Sequence, residues 1–213
     1  MKSCIRFLSI ITGCLILSVA LAEVDFRKEL VSQATMDIAN WIVSSEDHES
    51  KPFIIIDKLN AKVFVFDHYG YFHAAAPALL GLTKGDALSP GMGARKLSSI
   101  RPNERVTPAG RFLSSFDYNL NGDIVLWVDY DSGVALHPVI TSNPSEKRLQ
   151  RLTSTATTDK RITYGCINVS EWFYTNVVIP EFSGVFGLVY ILPEMPSNSI
   201  LQVFGPGVTK GLQ

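Results

Sequence analysis

The chain is 213 residues long, with 46% hydrophobic and 18% charged residues, a proportion that suits one domain with a full core. Its 19 basic and 20 acidic residues nearly cancel, so nothing in the charge balance points to nucleic acid or an anionic membrane surface as partner.

Met1 to Arg6 is short and cationic, Phe7 to Ala22 is apolar, and the run closes on Ala20-Leu21-Ala22. That order predicts a secretory signal peptide over 1–22, too short in its apolar part to span a bilayer comfortably. The mature protein is therefore expected in the periplasm or cell envelope, with no stable membrane span. Within 23–51, Phe26, Leu30, Ala34, Ile38, Trp41 and Ile42 recur at helical spacing, which predicts an amphipathic helix over Asp25–Val43 and a polar linker after it. Strands are predicted at Phe53–Ile56 and Val63–Phe66, and a third extended stretch at Tyr71–Leu80. Gly81 to Arg111, with five glycines and three prolines, reads as a long functional loop. Asp123–Tyr130 and Val134–His137 are further strands, and Pro138 biases His137 towards an extended backbone. A polar insertion, 141–159, carries Lys147, Arg148 and Arg151. Ser170 is placed to cap a short helix ended by Pro180, and Gly184–Leu192 reads as the last strand before a tail over 194–213. Many short strands with few helices predict a mainly β fold, a sandwich or barrel.

Removing the leader discards Cys4 and Cys14, which leaves Cys166 as the only cysteine. An unpaired thiol in an exported protein is either inert and buried or a nucleophile. Cysteine catalysis needs a base to form the thiolate and donors for the oxyanion. Of the four histidines, His48 falls in the linker and reads as solvated, while His68 and His73 read as surface or packing residues. His137, at a strand end upstream of Cys166, is the best base. Gly165 permits close approach of a substrate to the backbone, and the amides around Cys166 are candidate oxyanion donors. No cofactor is expected: Gly91-Met92-Gly93 lacks the third glycine of a dinucleotide fingerprint, and no His or Cys pair has metal-ligand spacing.

His137, a spacer, and then Thr163-Tyr164-Gly165-Cys166-Ile167-Asn168 resembles the signature of the L,D-transpeptidase catalytic (YkuD) domain. Thr107-Pro108-Ala109-Gly110-Arg111-Phe112 is similar to that family's Thr-Pro-x-Gly-x-Phe segment, and Phe53–Leu80 looks like its opening strands. The likeness covers roughly 52–193. It implies an L,D-transpeptidase-like β-sandwich preceded by a helix and carrying a short helix after the nucleophile. It also implies peptidoglycan stem peptides as the partner, with Cys166 as nucleophile and His137 as base. Amides of Tyr164, Gly165 and Cys166 would hold the oxyanion, and Thr163, Asn168 and Arg111 would contact substrate. The reaction implied is acyl transfer through a thioacyl enzyme. Hydrolysis of peptidoglycan peptides by the same fold, or an inactive peptidoglycan-binding module, are the alternatives. The sequence departs from the family pattern at Tyr164, which stands where a histidine is common, and in its long His137–Cys166 spacer.

Overall fold

The computed structural model describes residues 23–194 and Phe204; the expected leader, and the tail apart from Glu194 and Phe204, lie outside the described residues. The fold is mainly β. Ten strands are described: β1 (Phe53–Asp57), β2 (Lys62–Phe66), β3 (Phe72–Pro77), β4 (Leu80–Gly81), β5 (Gly110–Tyr118), β6 (Ile124–Asp129), β7 (Val134–Pro138), β8 (Arg161–Thr163), β9 (Ile167–Val169) and β10 (Gly187–Ile191). Eight of them form one sheet in the order β3-β2-β1-β10-β5-β6-β7-β9, and β4 pairs with β8 separately. Strand β5 pairs with β10 through Gly110–Ser114 and with β6 through Ser115–Tyr118, and the halves of the sheet on either side of it share a core. Ile54, Ile56 and Val65 from one end cluster with Leu126, Leu136 and Ile167 from the other.

The five residues of β1 are all buried, because both faces are covered. Ile54 and Ile56 enter the shared core, whereas Phe53 and Ile55 face helix α1 (Gln33–Ser44). That helix is shorter than the apolar spacing predicts. Ser32 accepts a hydrogen bond from the Thr35 amide and starts it as an N-cap. Ahead of the cap, Arg27 adopts a left-handed conformation and the Glu29 amide bonds the Phe26 carbonyl, which makes a turn. Leu30 is accordingly exposed, while Phe26 packs edge-on against Phe64 and Phe66. Burying each such side chain contributes about 1.5–3 kcal/mol.

Strand β5, near the middle of the sheet, has no counterpart among the predicted elements. The helical stretch after Cys166 continues through Pro180: α3 (Glu171–Phe173), a π-helical turn (Tyr174–Val178) and α4 (Ile179–Phe182) run on from the Ser170 cap. Pro180 lies in the first turn of α4, where a missing amide hydrogen is tolerated. The long loop 82–109 is pinned rather than free. Arg95 and Arg101 both bind the Glu104 carboxylate, and that pairing holds it well below the usual carboxylate range. Among the described residues, no helix is long and apolar enough to cross a membrane.

Candidate active site

β7 and β9 run parallel, with Leu136 opposite Ile167 and His137 opposite Asn168. Leu136 and Ile167 are fully buried in the shared core. Side chains alternate along a strand, so His137 and Asn168 project from the other face, and Cys166, two residues before Asn168, projects with them. Strand spacing and rise put the Cα atoms of His137 and Cys166 roughly 8 Å apart, close enough for their side chains to converge. Two residues far apart in sequence are thus neighbours across one ladder.

The protonation of His137 follows from its partners. Nδ1 lies 2.8 Å from the Pro138 carbonyl, which can only accept, so Nδ1 carries the hydrogen. Nε2 therefore keeps its lone pair and accepts from Asn168 Nδ2 at 3.0 Å. Burial depresses the imidazole pKa below its usual value; the Pro138 bond opposes this and the nearby Arg148 cation adds to it. The Cys166 thiol is half-buried and contacts the Gly133 carbonyl at 3.7 Å. Burial pushes the thiol up, against the pull of the backbone at Ala135, of Arg148 and of the Cys166 amide. Both shifts favour the neutral form at neutral pH, a thiol at Cys166 and an imidazole at His137.

The turn at Gly165-Cys166 is braced from two sides. Thr163 Oγ1 donates to the Cys166 carbonyl at 2.6 Å and accepts from the Gly165 amide at 3.2 Å. Thr107 Oγ1 donates to the Gly165 carbonyl at 2.9 Å and accepts from the Gly81 amide at 2.8 Å. Gly165 has φ of 136°, and a Cβ there would sit 2.8 Å from the Val106 carbonyl oxygen. Gly165→Ala is expected to lose about 1–3 kcal/mol of stability to backbone strain. It should also lose on the order of 100-fold in activity by displacing Cys166. Urea unfolding and turnover check both, and wild-type values in either would contradict the role given to this glycine.

Several expected site residues are placed differently. Thr163 is buried and serves the turn, and its bond to the Gly165 amide takes that donor away from an oxyanion. Asn168 is 1% exposed, and its carboxamide hydrogen-bonds His137 and Arg148. Arg111 binds Asp47 and Glu49 and lies over the Tyr190 ring, so its guanidinium clamps the linker to the sheet. His48, expected to be solvated, is buried against Phe53. His73 pairs with Glu181. Tyr164 supports a stacked Arg105 guanidinium 3.9 Å from the ring centroid. Thr107 and Arg148 were not singled out as site residues. For Thr107 the signal was its place in the Thr-Pro segment; for Arg148, one residue of a basic patch, spacing carries no signal. Among the described residues, no group of three or more His, Cys, Asp or Glu side chains could hold a metal ion.

No protein-family model matches the chain, and no curated protein does. Among solved structures it is similar to an LD transpeptidase, LdtMt1, determined in complex with imipenem. That likeness has 15% identity and a TM-score of 0.36, and covers 66% of this chain and 58% of the other.

Proposed function

We propose that the protein is a cysteine acyltransferase of the L,D-transpeptidase kind, acting on peptidoglycan stem peptides in the cell envelope after export by the leader 1–22. The observation that supports this reading is the pairing of β7 with β9, in which His137 lies opposite Asn168, two residues after Cys166. The motif resemblance at Thr163–Asn168 and Thr107–Phe112 supports the substrate class.

In this mechanism Cys166 Sγ attacks the carbonyl at the L-centre of diaminopimelate while His137 Nε2, released from the Asn168 amide, takes the thiol proton. The imidazolium returns that proton to the departing D-alanine amine as the carbon–nitrogen bond breaks, leaving a thioester. An incoming amine attacks the thioester, loses a proton to His137 and regenerates the thiol. The Cys166 amide lies beside its own sulfur and, with the Tyr164 amide, serves as oxyanion donor; such a donor is worth about 2.7–4 kcal/mol. The site starts from neutral groups, so the base acts during attack rather than by storing a thiolate.

The test is to incubate the protein with disaccharide-tetrapeptides and follow products by mass spectrometry, beside Cys166→Ala. Dimers linked between two diaminopimelates, absent with Cys166→Ala, are the expected result. Release of D-alanine without dimers would replace transpeptidation by hydrolysis. Retention of substrate by both proteins with no new product would favour a binding module.

A further inference from the structure

We propose that Arg148, carried into the site by the insertion between β7 and β8, is a positioning residue for His137 that acts through the Asn168 carboxamide. The inference rests on the assignment of His137 as base to Cys166. Helix α2 (Arg148–Thr153) opens with this residue, whose side chain is only 13% exposed. Its Nη1 donates to Asn168 Oδ1 at 3.2 Å, and its Nε bonds Glu146. The insertion is folded around its arginines, since Arg151 also donates to the carbonyls of Glu146 and Asp159.

A carboxamide has two nearly isosteric ends, and only its partners decide which way it faces. A guanidinium can only donate, so it draws Oδ1 towards itself and turns Nδ2 towards His137. The Asn168 N–H then meets the lone pair on Nε2, which keeps the resting imidazole in the Nδ1–H tautomer; that hydrogen bond breaks when Nε2 takes the thiol proton. Without Arg148 the amide is free to turn over and offer Oδ1 to Nε2, which favours a hydrogen on that nitrogen and disables the base. Arg148 also places a cation near both reacting groups. The other charged group acting on His137 is Asp123, in the turn before β6.

The test compares the wild-type chain with Arg148→Ala, Arg148→Lys and His137→Ala. The readouts are the pH dependence of Cys166 alkylation by iodoacetamide, resolved by peptide mass mapping, the ring-nitrogen NMR shifts of His137, and steady-state kinetics. Arg148→Ala is expected to move both the His137 and Cys166 titrations to higher pH and to mix the His137 tautomers. It should lower kcat roughly tenfold with KM within about twofold, the loss of one charge-assisted hydrogen bond. Arg148→Lys, which keeps the charge and a donor, should bring the titrations back towards wild type, and it serves as the reference should the alanine variant fold poorly. Unmoved titrations in a folded Arg148→Ala protein overturn the proposal, as does a raised KM at unchanged kcat, which would make Arg148 a substrate contact. If His137→Ala leaves the alkylation profile unchanged, the base assignment itself fails. If His137→Ala moves the profile and Arg148→Ala does not, only the role of Arg148 fails.

Discussion

Lys58→Ala lowers the free energy of unfolding by about 3–5 kcal/mol, the cost of removing one partner from a buried ionic cluster. The Lys58 side chain is 0% exposed. Its ammonium has three hydrogens and spends them on the Gly85 carbonyl at 2.6 Å, Asp86 Oδ1 at 2.7 Å and the Thr107 carbonyl at 2.8 Å. Arg161 and Glu194 close the cluster, with Arg161 donating to the Lys58 carbonyl and to the Glu194 carboxylate. Alanine strips the carbonyls of a buried donor and leaves Asp86 without this cation, while opening a hole the length of a lysine stem. Methionine fills the hole but not the hydrogen bonds, so Lys58→Met is expected to recover only part of the loss. Urea titration measures it as a lower midpoint at unchanged slope. Because the backbone of Thr107 is held by Lys58 while its hydroxyl holds Gly165, activity should fall along with stability. A change below about 1 kcal/mol would mean that the cluster is replaceable by water.

His137→Ala is expected to lower cysteine-dependent turnover by about 10²- to 10⁴-fold, the usual range for a general base, with the fold intact. The pH profile adds a second check. The folded pKa of His137 lies below its ordinary value near 6.5, so the base stays neutral and competent at mildly acid pH and the acid limb of kcat/KM falls below about 6.5. The same depression sets a stability term, fully present above the unfolded value and lost as pH falls through the folded one. Kinetics across that range, repeated with His137→Ala, decide the matter. An acid limb above 6.5, or one that persists in the variant, would assign the base elsewhere.

Much of the sheet was legible because buried strands announce themselves. Phe53–Ile56 and Val63–Phe66 are runs of branched and aromatic residues and Val134–His137 is a short apolar run ending in histidine, and they fold as β1, β2 and β7. Strand β5 was hidden because Ser114, Ser115 and Asp117 dilute its apolar positions, and its burial does not alternate cleanly. Helix α1 was over-extended because Phe26 fits the helical stripe but earns its burial from an aromatic cluster instead. Among site residues, the Gly-Cys pair and the strand-end histidine can be found by chemistry and spacing. Arg111 was misjudged because its partners, Asp47 and Glu49, lie in a segment with no pattern of its own. Arg148 was hidden for the converse reason, since an arginine reads alike in solvent and against a buried amide.

The parallel register of β7 and β9 has a consequence for how this chemistry tolerates change. Whatever joins the two strands has its ends fixed by the ladder, and lengthening a loop costs only about 0.6 kcal/mol per doubling. Away from Arg148 and the Thr163–Cys166 turn, the connecting segment is therefore open to variation in length and composition. The ladder itself has no such freedom. A slip of one residue would turn the thiol inward and expose Ile167 to water. The protein thus joins a rigid two-strand gauge to a rewritable span, and its chemistry is kept by registration rather than by distance along the chain.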